Sequence, residues 1–253
     1  MTRYKSKAIY LFLFAGAAIL FSFCWCVPAF GIMENLKMDA YFRQNETALF
    51  LNIMANGNYI NDQKIVVLYL VFFVLAQHAV LFPDKPGFVV RLRSRNEFIT
   101  RNFKTILLYS FGFVFLLESI NILFAFFTFS NSVVINSGLL LYSLIDFVTL
   151  FLFYLRAGLL LLVASILFNK NLAPFIVLAI YFLEFFANDF FPPVQLLWLP
   201  FRDAISITHL LARRIQPADT LPAIIRGVVM DAGLLWYAYF LFVKKDMVVY
   251  EKK

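Results

Sequence analysis

Five ionisable side chains lie inside long apolar runs of this 253-residue chain, and they are the first candidates for chemistry. They are Glu118, Asp146, Arg156, Glu184 and Asp231. A charged group in hydrocarbon is costly, so a residue of this kind is by default a candidate for a functional site. Two interpretations stay open: a polar path or ion pair between helices, or positions close enough to a membrane interface to reach water.

The acidic residues differ in whether they can reach the arginine. Asp146 and Arg156 lie ten residues apart on one run, about 15 Å along a helix, so they cannot pair directly unless that helix breaks. Arg156 then needs a carboxylate from another run. Glu118 is the candidate, because a short turn around residues 130–136 joins its run to the run of Arg156. The sequence therefore predicts an ion pair between Glu118 and Arg156.

Motifs for catalysis do not occur in the sequence. The two histidines, His78 and His209, are too far apart to suggest a metal centre, and Cys24 and Cys26 lack the spacing of a zinc site. The chain has no G-x-S-x-G elbow, no H-E-x-x-H motif and no Walker A loop. We therefore expect no catalysis, no metal and no cofactor here, with any ATP and Mg²⁺ bound by a partner subunit.

The elements that must position these side chains are apolar. Hydrophobic residues make up 62% of the chain and charged residues 15%, whereas a soluble domain carries about 25% charge. This composition excludes a soluble enzyme, a disulfide-stapled secreted domain and a disordered regulator. Runs long enough to cross a bilayer cover residues 8–29, 65–82, 105–129, 137–168, 172–191 and 225–243.

These runs predict an all-α polytopic membrane protein with six transmembrane helices in a single domain, residues 1–253. The first run exceeds the h-region of a signal peptide, which is about 7 to 15 residues long, so we expect it to be retained. The fourth run is longer than one crossing needs, which leaves a tilt, an extension beyond the bilayer or a break open.

Lysine and arginine residues are distributed unevenly among the connections. With the N-terminus inside, the cytoplasmic segments hold fourteen of them and the external segments six. The positive-inside rule then predicts a multi-pass protein of the cell membrane with both termini cytoplasmic. The net charge of +7 is accounted for by these short connections, so we expect no nucleic-acid partner.

Two external segments, residues 31–64 and 192–224, are long. The second contains two short apolar pieces, Val194–Leu199 and Ala204–Leu211, separated by Pro200, Arg202 and Asp203. This alternation favours helices that lie at the outer interface or dip into it.

The connection between the second and third runs is basic and amphipathic. After a Pro/Gly breaker, about four turns of predicted helix place Val90, Phe98 and Ile99 toward the membrane and Arg91, Arg95, Glu97 and Arg101 toward the cytosol. One interpretation is an anchor that attracts anionic membrane lipid. The other is a docking helix for a soluble partner.

These features together resemble the ABC-2-type transporter permeases, most closely those of Gram-positive bacteriocin and lantibiotic operons. The resemblance is carried by the six runs, by Arg91-Leu-Arg93-Ser94-Arg95, and by Phe242-Val-Lys244-Lys245-Asp246 after the last run. It implies a helix that couples the permease to a nucleotide-binding ATPase subunit, and re-entrant helices between residues 192 and 222. The implied coupling residues are Arg91, Arg93, Ser94, Arg95, Glu97 and Arg101. The long loop 31–64 departs from the family pattern.

We therefore expect a permease subunit that moves an amphipathic peptide or lipid-like substrate, paired with a second copy or a related permease. The alternative is a non-transporting scaffold or immunity protein that binds a partner or toxin through its external loops. An intramembrane enzyme would need a polar cluster at one depth, which the scattered acidic residues do not provide.

Overall fold

The computed structural model describes residues 2–36, 45–56, 64–81, 95–190, 204, 210–211 and 216–250. Every regular element in these ranges is helical. A π-helical segment, Lys64–Tyr69, leads into α3, and a 3-10 turn, Pro217–Thr220, leads into α8. The α-helices are α1 (Thr2–Leu36), α2 (Glu46–Asn56), α3 (Leu70–Leu81), α4 (Arg95–Thr128), α5 (Asn131–Asn136), α6 (Leu139–Leu167), α7 (Ala173–Phe190) and α8 (Leu221–Tyr250).

Four stretches of the described helices are long and apolar enough to cross a membrane. They are Phe12–Gly31, Ile99–Thr128, Leu139–Leu167 and Pro217–Phe242. Two shorter apolar helices, Val67–Leu81 and Ala173–Ala187, coincide with the other two predicted runs. The prediction of a helical, membrane-embedded protein is thus confirmed, and the structure provides four helices of spanning length.

The fourth predicted run forms one continuous helix, α6, from Leu139 to Leu167. The chain changes direction just before it, at Gly138, where φ is 78° and a residue without a side chain is favoured. The predicted turn at residues 130–136 is instead the short helix α5, which begins after Ser130. The break that the sequence left open therefore falls at the start of the run, outside the apolar helix.

The basic connection does not form a separate helix in its described part. Residues from Arg95 onward belong to α4, which continues without a break through the third apolar run to Thr128. The sequence between Arg95 and Gly112 contains neither proline nor glycine, so nothing stops helix propagation. The prediction of an independent surface helix is thus wrong for residues 95–104, and residues 82–94 lie outside the described ranges.

Helix α6 is the centre of the bundle. It packs against α3, α4, α7 and α8, while α1 packs against α2, α3 and α4. Aromatic rings fill the centre: Phe113 of α4 meets Phe21 of α1 at 5.1 Å, Phe73 of α3 at 5.2 Å and Tyr154 of α6 at 4.9 Å between ring centroids. Such edge and tilted contacts add to the packing energy of the bundle.

Polar contacts tie the connections together at the two ends of α6. Near its start, Glu46 of α2 accepts hydrogen bonds from the backbone N–H and the hydroxyl of Ser130, at 2.6 and 2.8 Å. Near its end, Nε2 of His78 and the carbonyl of Lys170 lie 2.9 Å apart. The α1–α3 connection therefore meets the α4–α6 connection, and the end of α3 meets the α6–α7 turn.

Candidate intramembrane polar site

The bundle interior holds four of the five ionisable residues selected from the sequence. Exposed fractions are 4% for Glu118, 0% for Asp146, 2% for Arg156 and 6% for Asp231, while Glu184 is half-buried. Asp231 is therefore not an interface residue that reaches water, which was one of the two interpretations open for it. Each of these side chains projects from a helix that contacts α6 or from α6 itself.

Arg156 forms an ion pair with Asp231 of α8. Its Nε lies 3.4 Å from Oδ1 of Asp231. Gly227, one helical turn before Asp231, lets the two helices approach: a Cβ at this position would lie 2.9 Å from Cδ1 of Leu152 and 3.2 Å from Nη2 of Arg156. Small residues commonly allow such close packing between membrane helices. The ion pair and the glycine together place α8 on α6.

The predicted pairing of Arg156 with Glu118 is wrong. Glu118 lies beside Asp146, and Asp146 is about 15 Å from Arg156 along α6. Glu118 is thus near Asp146, at a different position along α6 from Arg156, and too far from the Arg156 guanidinium to pair with it. The sequence argument failed because it chose the partner from the nearest run along the chain, whereas the contact is made by the last helix.

Two residues of α7 complete the surroundings of this ion pair. Tyr181, fully buried, is close enough to Arg156, Asp231 and Glu184 to interact with all three electrostatically. We call Arg156, Asp231, Tyr181 and Glu184 the Arg156 cluster. Tyr181 was missed because the search of the sequence was confined to charged side chains, although it lies one turn before Glu184 on the same helix.

A second polar group of residues lies between α4 and α6. The carboxyl group of Glu118 is next to that of Asp146, and it is close to the side chains of Ser143 and Asn121. Exposed fractions of the last two are 2% and 1%. We call Glu118, Asn121, Ser143 and Asp146 the Glu118 cluster. Its helical spacings, three residues on each helix, were the signal that could have found Asn121 and Ser143.

Helix α1 supports the Glu118 cluster from outside. The indole Nε1–H of Trp25 donates a buried hydrogen bond of 3.3 Å to Oδ1 of Asn121. The same ring stacks on Phe124 at 5.1 Å between centroids. Trp25 therefore fixes the orientation of the amide beside Glu118, and sequence reasoning had no means of placing α1 at this position.

A lysine at the start of the π-helical segment contacts the apolar part of α1. Lys64 is half-buried, and its Nζ donates to the carbonyl of Cys24 at 3.3 Å. Burial lowers the pKa of Lys64 from its ordinary value, because the charged form loses hydration. This residue was counted from the sequence as an external positive charge, and the structure places it against the bundle.

Only part of the predicted coupling segment can be placed. Arg91, Arg93 and Ser94 lie outside the described residues, while Arg95 and Glu97 are in the first turn of α4. Arg101 is exposed. Ile99 was predicted to face the membrane, but it is buried within the protein, because this turn of α4 already packs against the bundle.

The predicted re-entrant pieces fall mostly outside the described ranges. None of Val194–Leu199 is described, and of Ala204–Leu211 only residues 204, 210 and 211 are, all of them buried. Within the described ranges, no group of three or more His, Cys, Asp or Glu side chains is arranged to hold a metal ion. Comparison with protein-family models, curated proteins and solved structures gave no match to this chain.

Proposed function

We propose that this chain is the membrane-spanning subunit of an ABC transporter of the ABC-2 type. It crosses the membrane six times with both termini in the cytoplasm, and it moves an amphipathic peptide or lipid-like substrate. A separate subunit binds ATP and Mg²⁺ and hydrolyses the nucleotide. A second copy of this chain or a related permease completes the membrane part.

The observation that supports this proposal most is the continuity of α4. The basic residues that begin this helix, Arg95 and Arg101, are on the same rigid rod as the buried Phe113 and Glu118. A displacement of the cytosolic end therefore reaches the centre of the bundle without passing through a hinge. An independent surface helix would have lost part of that motion in a flexible connection.

Because α6 is at the centre of the bundle, a movement of α4 would be transmitted to the other helices. Helix α4 packs on α6, and α6 carries α3, α7 and α8. Packed interfaces respond to a displacement by switching between arrangements, because side chains that fill space cannot deform continuously. A substrate would then be moved because it contacts the two arrangements differently, which is the physical requirement for such coupling.

The test reverses the charges that would dock the ATPase. In the double variant Arg93→Glu/Arg95→Glu we expect about tenfold less of a Walker A protein to copurify in mild detergent, equivalent to about 1.4 kcal/mol of binding. ATP hydrolysis by that protein should also lose its coupling to transport. The measurement is quantitative mass spectrometry of the purified complex, combined with the melting temperature of the permease.

Lys170→Glu is the matched control, since it reverses an exposed basic residue in the turn between α6 and α7. We expect this variant to retain the ATPase at the level of the unmodified chain. Retained transport with a normally assembled ATPase in the double variant would exclude the docking role. Absence of any Walker A protein from the unmodified complex would favour the alternative, a non-transporting scaffold or immunity protein.

A further inference from the structure

We propose that Lys64 locks a hinge in helix α1 at Pro28. The lock is a hydrogen bond from Lys64 to a backbone carbonyl that has lost its usual donor because of the proline. The part of α1 that the hinge releases is residues 29–36. The proposal goes beyond the transport function above, because it concerns a joint within this chain and needs no ATPase.

The first observation is that a lysine donates where the helix backbone cannot. In an α-helix the carbonyl of Cys24 accepts from the N–H four residues later, but position 28 is a proline, which has no N–H. Helix α1 nevertheless continues from Thr2 to Leu36. Nζ of Lys64 lies 3.3 Å from this same carbonyl and donates to it. Prolines are tolerated inside membrane helices where a neighbouring group satisfies the freed carbonyl, and Lys64 does so here.

The second observation is that α1 is attached to the bundle on the N-terminal side of the proline. The ring of Phe21 meets those of Tyr69 in the π-helical segment and Phe113 in α4, each at 5.1 Å between centroids. One turn later, the indole N–H of Trp25 donates to Asn121 of α4 at 3.3 Å. Helix α1 is therefore fixed to its neighbours up to the turn that precedes the proline.

The third observation is that α1 has less buried surface after the proline. Of the later residues whose side chains the structure describes, Ala29 is buried. The others, Phe30, Gly31 and Glu34, are exposed. A Cβ added at Gly31 would have no atom within 4 Å, and a glycine also weakens the interior of a helix. Segments with few buried contacts open locally at low cost, so residues 29–36 can bend separately from the rest of α1.

The lysine that forms the lock is itself held by the central helix. Lys64 begins the π-helical segment Lys64–Tyr69, and the next residue, Ile65, is buried. The hydroxyl of Tyr154 in α6 donates to the carbonyl of Ile65 at 3.5 Å. Segments of π-helix are frequent at functional sites. A shift of this segment relative to α1 would withdraw the donor from the Cys24 carbonyl and free residues 29–36.

The test is hydrogen–deuterium exchange on the full chain purified in detergent, followed separately in residues 12–24 and 29–36. In the unmodified chain we expect the amides of both ranges to be protected. Lys64→Met keeps an unbranched apolar side chain and removes the ammonium group, so exchange in residues 29–36 should rise about tenfold while residues 12–24 stay unchanged. Lys104→Met, which removes an exposed lysine from α4, is the matched control and should alter neither range.

A second variant separates the lock from ordinary packing of the lysine. Pro28→Ala restores an N–H to position 28 and favours the helix, so the Cys24 carbonyl no longer depends on Lys64. We therefore expect residues 29–36 to exchange at the same rate in Pro28→Ala/Lys64→Met as in Pro28→Ala alone. If Lys64 merely packs against α1, its replacement should raise exchange equally with proline or with alanine at position 28.

Four results would overturn the proposal. The first is that residues 29–36 exchange without protection in the unmodified chain, and the second is that Lys64→Met leaves their exchange unchanged. The third is a rise in Lys64→Met that extends equally to residues 12–24, which would mean general loosening of the bundle. The fourth is an equal rise with proline and with alanine at position 28. None of these results depends on an ATPase, so the proposed transport function would be judged separately.

Discussion

The two polar clusters both include residues of the central helix α6, but their charged groups are arranged differently. In the Arg156 cluster a cation and an anion from α6 and α8 face each other at 3.4 Å. In the Glu118 cluster two acidic groups from α4 and α6 are neighbours. The first contains an ion pair of opposite charges, whereas the second contains two acidic groups side by side. The first therefore joins α8 to α6, and the second joins α4 to α6 through acidic and neutral polar groups.

The helices that carry the Arg156 cluster differ in how much of their surface is buried. In α6, 78% of the apolar stretch that is long enough to cross a membrane is buried inside the protein. In α8 the buried share of the corresponding stretch is 17%. Much of α8 faces outward, including Val228, Val229 and Trp236. The contact of α8 with the bundle is therefore mainly its packing on α6, where the ion pair and the close approach at Gly227 lie.

The largest expected effect follows from removing the cation of the ion pair. Arg156→Leu leaves Asp231 buried without its partner, so we expect the free energy of unfolding to fall by about 3 to 5 kcal/mol. The measurement is unfolding by sodium dodecyl sulfate in mixed micelles. Arg101→Leu, which removes an exposed arginine from α4, is the matched control and should change stability by no more than about 0.5 kcal/mol.

The double variant Arg156→Leu/Asp231→Leu separates a lost ion pair from lost packing. Removing both members of the ion pair leaves neither of them buried without the other, so most of the stability should return. If the double variant is as unstable as Arg156→Leu alone, the damage comes from packing around α6, and the ion pair contributes little to the position of α8.

A smaller effect is expected at the glycine contact beside the same ion pair. In Gly227→Ala the added methyl group would meet Leu152 at 2.9 Å and Arg156 at 3.2 Å. We expect a loss of about 1 kcal/mol, the low end for overpacking, because the end of the Leu152 side chain can move partway. Unfolding in mixed micelles again measures it.

Gly233→Ala is the control for this substitution, because no atom lies within 4 Å of a Cβ added there. The same gain in helix propensity applies to both variants, so their difference isolates the contact. Equal stabilities for the two variants would show that α8 is free to move away from α6 at Gly227.

Much of the fold could be predicted from the sequence, because hydrophobic runs are read directly from composition. The six runs all coincide with helices of the structure, and the helical, membrane-embedded class is confirmed. It was harder to predict where one helix ends and the next begins. The sequence contained a basic amphipathic stretch, but whether Arg95 began a separate helix or the spanning helix depended on the packing of Ile99 against the bundle.

The partners of the candidate residues could not be predicted, because they depend on which helices are neighbours. The sequence correctly selected Glu118, Asp146, Arg156 and Asp231 as buried polar groups. It paired Arg156 with the wrong acid, since the run nearest along the chain was taken as the nearest in space. Neutral side chains such as Ser143 and Asn121 carry no hydropathy signal strong enough to stand out in these helices.

The smallest expected effect is that of Glu118→Gln on stability. It distinguishes the two clusters most clearly, because its sign should be opposite to that of Arg156→Leu. Glu118→Gln keeps the shape of the side chain and removes one of two adjacent acidic groups, so we expect a gain of up to about 1 kcal/mol. Removal of a charge from the Arg156 cluster should instead be costly. Micelle unfolding of Glu118→Gln beside Arg156→Leu provides the comparison. A loss of several kcal/mol in Glu118→Gln would show that Glu118 is held by a cation of the protein itself, and the contrast between the clusters would then be abandoned.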